Sequence, residues 1–231
     1  MNDWLITLPS CPSTNSWALA RLSELPPGTV VFTRAQTAGR GRQGRAWYAP
    51  PGTLTASIVV AVPPARAPAM ALAAGLAIIH ALSDACPQLA ARFAIKWPND
   101  VLLAGRKLAG VLCEGSGQQL VVGIGLNRAA TLPPELAAIS LHTLAAPPSE
   151  EELLHSLRRY VLEAAGVIAL HGLCPLLPAL RARDALLGVS CTVQTNQGSV
   201  CGIGQGIDDQ GRLLLLTAGG ARAIDSGHVL M

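Results

Sequence analysis

Apolar positions along the chain change period several times, and each change predicts an element. Leu5-Ile6-Thr7-Leu8 reads as a short strand that Pro9 stops, because proline has no N–H to give a ladder. After Ser13-Thr14-Asn15, the apolar residues Ala18, Leu22 and Leu25 recur at helical spacing, with the small polar residues placed to cap exposed N–H groups. Pro26-Pro27-Gly28 is a turn, and Thr29 to Thr33 is a second strand. Leu54 to Ala61 is a third, followed by an alanine-rich stretch from about 68 to 85 that predicts a long buried helix. Arg92 to Ile95 alternates as a strand until Trp97-Pro98-Asn99-Asp100 turns the chain. Val101 to Leu103 and Lys107 to Glu114 pair as a hairpin through Ala104-Gly105-Arg106. Gln119 to Asn127 is one more buried strand, in which Gly123 and Gly125 mark tight packing against the backbone.

Residues 128 to 148 are irregular. Ser149 and Glu152 have the spacing of a capping box, and Leu153, Leu154, Leu157, Val161, Ala164 and Ile168 then form the stripe of a core helix. A second helical piece covers about 176 to 186. From Gly188 the pattern changes to short strands at 189–193, 200–203, 212–216 and 222–224, separated by glycine-bearing turns. Such spacing predicts a small barrel, and so a boundary near 186 between domains 1–186 and 187–231.

Composition narrows the possibilities. Half of the 231 residues are hydrophobic and the net charge is +3, too little for bulk attraction to nucleic acid or a membrane surface. Any polyanion site must be a local cluster of arginines. The six cysteines have no CxxC or zinc-like spacing, which predicts reduced thiols and a cytoplasmic protein. The N-terminus has no signal-peptide pattern, and the apolar stretch 67–82 is short for a membrane span.

Two stretches carry candidate chemistry. Residues 39–45 hold three glycines and three arginines, which predicts an irregular, mobile loop whose backbone can approach a phosphate and whose guanidinium groups can fork onto oxygens. Read alone, it is equally a basic loop that touches RNA without specificity. Lys96 is presented where a strand runs out, in a chain with fifteen arginines and only two lysines. A compact, flexible point charge is what lysine offers over arginine, although a solvated strand end has the same appearance.

Taken together, Ser13-Thr14-Asn15, the Gly-Arg-Gly-Arg-x-Gly-Arg loop, Lys96-Trp-Pro-Asn-Asp100 with Lys107-Leu-Ala-Gly110, and Gly123-Ile-Gly-Leu-Asn127 resemble the catalytic domain of biotin protein ligases. Gly206-Ile-Asp208 with Gly211-Arg-Leu-Leu-Leu resembles that family's SH3-like domain, so the resemblance runs from about residue 4 to the end. It implies an α+β fold: a mixed β-sheet with helices packed against it, of the class II synthetase-like kind, plus a small C-terminal SH3-like β-barrel.

The activity it implies is ATP-dependent. Biotin and MgATP give biotinyl-5′-adenylate, and the acyl group passes to a lysine of a biotin carboxyl carrier protein domain. By the same resemblance Lys96 stands between the biotin carboxylate and the α-phosphate and is catalytic together with Arg42. Arg40, Gly41 and Arg42 close over biotin and adenylate, Arg45 reaches phosphate, and Trp47 packs beside the loop. Ser13, Thr14, Asn15 and Gln36 border the biotin pocket, the first three facing the ureido ring. Gly110, Gly123 and Gly125 let the bicyclic ring lie on backbone. Asn99 and Asn127 belong to the ATP site, and Mg²⁺ is held mainly by ATP phosphates, with Asn99 and Asp100 as candidate protein ligands.

Two departures stand out. The chain begins at the catalytic domain, without a winged-helix DNA-binding domain, which implies no DNA partner. It ends Gly227-His-Val-Leu-Met231, without the final arginine by which many members reach the nucleotide. The family contains monomers and dimers, so a homodimer stays open. The rival readings are a lipoate or octanoate transferase of the same superfamily, a nucleic-acid-binding module, and a non-catalytic biotin-binding protein. Trp-Pro-Asn-Asp and the arginine loop weigh against the first, scarce aromatics against the second, and the retained Lys96 against the third.

Overall fold

A computed structural model describes residues 3–230. Of the C-terminal stretch from Gly227, Met231 lies outside the described residues. The strands are β1 (Leu5–Leu8), β2 (Val30–Thr33), β3 (Thr53–Ala61), β4 (Phe93–Lys96), β5 (Asp100–Leu103), β6 (Arg106–Ser116) and β7 (Gln119–Asn127). They form one seven-stranded sheet in the order β1-β2-β3-β7-β6-β5-β4. β1 and β2 run parallel and the remaining pairs antiparallel, so the sheet is mixed as expected. The β5–β6 connection is tighter than the three residues assigned to it. Ala104 and Gly105 alone make the turn, both at positive φ, which matches the strand twist.

Strand alternation divides the two faces. Leu54, Ala56, Ile58 and Val60 of β3, with Leu120, Val122, Ile124 and Leu126 of β7, enter the main core. Helices α2 (Met70–Ala85) and α3 (Glu150–His171) cover that face. Helix α2 with the 3₁₀ turn before it, Pro64–Ala85, is long and apolar enough to cross a membrane, but it is the core helix and is mostly buried. Helix α3 starts at the expected capping box: Ser149 Oγ accepts from Glu152 N–H at 3.2 Å, and Glu152 accepts from Ser149 N–H at 2.9 Å.

The opposite face carries a smaller core, where α1 (Thr14–Leu19) lays Ala18 on Val31, Val59 and Val121. This helix is shorter than its pattern suggested. Leu22 and Leu25 complete the small core from the turns after it. On the same face the alternation places Ser57 and Gly123 beneath Thr14 and Asn15 at the start of α1, and Gly110, Leu112 and Gly125 beside them.

After α4 (Leu177–Arg183) come β8 (Ser190–Thr195), β9 (Gly198–Ile207), β10 (Leu213–Thr217), β11 (Gly220–Ile224) and β12 (His228–Leu230). They make a five-stranded antiparallel sheet in the order β11-β10-β9-β8-β12. β12 had no counterpart among the expected strands. The two sheets share a core, since Leu186, Cys191, Val193, Leu213, Leu215 and Val229 belong to the same buried cluster as Leu54 and Ile95. Trp97, 1% exposed, crosses between them and donates its Nε1–H to the Gly211 carbonyl oxygen at 2.9 Å.

Candidate active site

On the face that carries α1, neighbouring strands set their small residues side by side: Ser57 is opposite Gly123, Gly123 opposite Leu112, and Gly125 opposite Gly110. The missing side chains make room for two others. A Cβ at Gly123 would overlap the Asn15 amide, and one at Gly125 would overlap the Trp47 indole. Space expected for a flat ligand ring at these glycines is therefore filled by Asn15 and Trp47.

Asn15 is 3% exposed and fully bonded. Its Nδ2 donates to Leu112 O at 3.1 Å and to Glu114 Oε2 at 3.0 Å, and its Oδ1 lies 2.7 Å from Ser57 Oγ. Thr14 N–H donates to Gln36 Oε1 at 3.0 Å, and Ser13 Oγ caps α1 by accepting from Ser16 N–H at 3.3 Å. The helix start and the strand floor thus form one rigid polar wall.

The arginine stretch, expected as an irregular loop, is a tight hairpin. Gly41 N–H donates to Arg45 O at 2.7 Å and Trp47 N–H to Gly39 O at 2.9 Å, around a 3₁₀ turn at Arg42–Gly44. Gln43 and Gly44 take positive φ there, which lets three arginines project from so few residues. Wall, hairpin and the Lys96–Asp100 turn enclose a cavity of about 170 Å³.

Five cationic side chains line it: Arg40, Arg42, Arg45, Lys96 and Lys107. Three have partners. Arg40 Nη2 lies 2.6 Å from Glu114 Oε1, Lys107 Nζ 2.6 Å from Asp100 Oδ1, and Arg45 Nη1 2.8 Å from His228 Nδ1. Lys96 and Arg42 are half-buried, and among the described residues neither side chain has a hydrogen-bond or ion-pair partner. Burial pushes the pKa of both down; for Lys96 the nearby Lys107 adds to this while Asp100 opposes it. Two desolvated positive charges held in a cleft are an arrangement that attracts an anion.

Of the residues singled out in the sequence, Ser13, Thr14, Asn15, Gln36, Arg40, Gly41, Arg42, Arg45, Trp47, Lys96, Asn99, Asp100, Gly110, Gly123 and Gly125 all border this cavity. Asn127 does not. It is 3% exposed at the end of β7, where its carbonyl oxygen accepts from Ser140 Oγ at 3.1 Å. Sequence reasoning missed Ser57, Leu112, Glu114 and His228. Glu114 had a readable signal, since it lies four residues after Gly110 on the same strand, and Ser57 was a polar residue inside an apolar run. His228 had none, because its place depends on β12 pairing with β8.

Residues 7–127 match the model of the biotin/lipoate A/B protein ligase family, and residues 186–231 that of the biotin protein ligase C terminal domain. The biotin–[acetyl-CoA-carboxylase] ligase of Paracoccus denitrificans is 37% identical over 235 residues, covering 94% of this chain and 96% of that protein. That of Mycobacterium tuberculosis is 38% identical over 232 residues, covering 94% and 85%. Among solved structures, a biotin protein ligase from Aquifex aeolicus in complex with biotin and ATP is similar at a TM-score of 0.85 and 28% identity, covering 99% of this chain and 98% of that one.

Proposed function

The chain belongs to the biotin protein ligase family, and from that membership and its cavity we infer an ATP-dependent ligase that activates biotin as biotinyl-5′-AMP and transfers it to a carrier lysine. The observation that carries this is the unmatched pair of cations, Lys96 and Arg42, on the cavity wall. Attack of a carboxylate on an α-phosphorus brings two anions together, and preorganised positive charge is what lowers that barrier. Lys96 bridges the biotin carboxylate and the α-phosphate. Arg42, with Arg40 and Gly41, covers the mixed anhydride and keeps water out. Arg45 faces the polyphosphate, and Ser13, Thr14, Asn15 and Gln36 border the biotin pocket, the first three at the ureido ring, where ligand contacts to Asn15 would add to or replace the bonds it makes to Leu112, Glu114 and Ser57. Asn127 takes part in the nucleotide site only if the end of β7 opens to it.

ATP enters as its magnesium complex. Asp100 Oδ1 is engaged by Lys107 at 2.6 Å and Asn99 Nδ2 donates to Val111 O at 2.7 Å, so among the described residues Asn99 Oδ1 and Asp100 Oδ2 are the oxygens of this pair without a hydrogen-bond or ion-pair partner. Such a sparse oxygen set suits a magnesium ion that keeps its phosphate and water ligands. Residues 1–186 form the catalytic domain and 187–231 the SH3-like one.

The acceptor is a biotin carboxyl carrier domain, in keeping with the acetyl-CoA-carboxylase named for the Paracoccus and Mycobacterium ligases. A docking edge is at hand. β6 pairs with β5 as far as Gly110, and Val111 next to it donates its N–H to Asn99 O and accepts from Asn99 Nδ2. Beyond Val111, among the described residues, β7 is its one ladder neighbour, beside a second cavity of about 640 Å³ that Arg42 and Glu114 also line. An extended carrier segment, or a second copy of the chain, fits such an edge. Six free thiols suit a reducing cytoplasm.

The test is pyrophosphate release with MgATP and either biotin or lipoate, followed by mass analysis of an added carrier domain. Biotin-dependent release and a gain of one biotinyl group are expected. Release with lipoate alone moves the assignment to lipoate transfer, and biotin binding without release makes the chain an idle binder.

A further inference from the structure

Strand β12 and the Gly227 before it bring Gly227, His228 and Val229 into the cavity wall, and no role assigned above uses the histidine. A guanidinium carries only donors, so in the 2.8 Å contact Arg45 Nη1 donates and His228 Nδ1 accepts. The ring proton is then on Nε2 and the imidazole is neutral. Its surroundings favour that form: burial lowers its pKa, as do Arg45, Lys96 and Lys107, with Asp100 alone opposing them. Arg45 itself is exposed, at a hairpin corner whose backbone is fixed by the bonds from Gly41 N–H and to Arg42 O. A long side chain at an exposed corner has many rotamers open to it, and a bond such as that to His228 selects one.

We propose that His228 is a positioning residue for the nucleotide half of the reaction: its Nδ1 holds the Arg45 guanidinium over the cavity, leaving the other N–H groups to an ATP phosphate. This rests on the ligase reading above. The catalytic domain supplies the charge, and the C-terminal sheet aims it with a neutral acceptor. His228 touches no reacting atom in this scheme and acts through Arg45.

The test is biotin-dependent exchange of labelled pyrophosphate into ATP by the full chain, with MgATP varied, alongside biotin affinity. His228→Ala and His228→Phe are expected to raise KM for MgATP roughly five- to tenfold, the loss of one charge-assisted hydrogen bond at a partly exposed site, with kcat and biotin affinity little changed. His228→Asn puts an amide oxygen where Nδ1 stands and should bring KM back toward the wild-type value. In the Arg45→Ala background, His228→Ala should cost nothing further. An unchanged KM in His228→Ala, no rescue by Asn, or additive losses in the double variant overturns the proposal. Absence of biotin-dependent exchange in the wild type is a separate result, which sinks the ligase reading and the proposal with it.

Discussion

Asp100 is held by Lys107 at 2.6 Å, although Lys96 is its partner directly across the β4–β5 pair. The second lysine of the chain thereby occupies the carboxylate that would otherwise neutralise the first. Lys107→Met should let Asp100 turn to Lys96 and slow biotinyl-adenylate formation by about tenfold, while biotin affinity changes less. Pyrophosphate exchange and biotin titration read the two effects separately. An unchanged exchange rate would show that Asp100 never competes for Lys96.

In the proposed scheme Lys96 supplies charge as the transition state forms, so in Lys96→Ala adenylation should drop by about two to three orders of magnitude with a smaller loss of biotin binding. Equal losses would contradict the assignment. Burial holds the Lys96 pKa below the ordinary lysine value. The working form is the ammonium, so the rate should be full below that depressed pKa and fall as pH rises through it. Lys96→Arg, whatever its rate, should move this alkaline limb upward.

Arg42 covers the activated acyl group in the scheme above. Arg42→Gly should release biotinyl-adenylate and label bystander lysines on added protein, scored by mass spectrometry. Labelling confined to the carrier domain argues against that role.

Gly125→Ala sets a Cβ into the Trp47 indole. Displacing the ring should cost about 1–3 kcal/mol and unseat the arginine hairpin. Thermal unfolding and biotin affinity should fall together, and a variant that keeps both would show that Trp47 moves at no cost.

Ser149→Ala removes the cap of α3 and should destabilise the fold by about 1 kcal/mol. The Ser149 N–H first and its Oγ–H second hold the Glu152 carboxyl below its usual range, and the variant keeps the first bond and loses the second. A depressed carboxylate contributes stability above the unfolded-state pKa and loses it as pH falls through the folded one. The gap between wild type and variant in urea unfolding should therefore narrow in acid.

Regular elements were legible because their signals are local. The capping box at Ser149 and Glu152, the alternation in β3 and β7, and the glycines of β7 each stated their own role. The arginine hairpin was read as irregular because its order comes from bonds such as Trp47 N–H to Gly39 O, which composition does not reveal. The glycine floor was read correctly as a close approach, but which group approaches is decided by Asn15 and Trp47 arriving from far along the chain. His228 lay beyond reach for the same reason. Three residues make a strand only when another strand is there to receive them.

The Trp97 indole is anchored to the backbone of Gly211, a glycine at positive φ. The residue next to Lys96 is thus seated by a turn more than a hundred positions later. Chimaeras should obey this tie: a C-terminal sheet transplanted from a relative will support turnover only if it returns a carbonyl to that spot, however well it folds by itself. The tail of this enzyme is an organ of its centre, and the two can be exchanged only as a matched set.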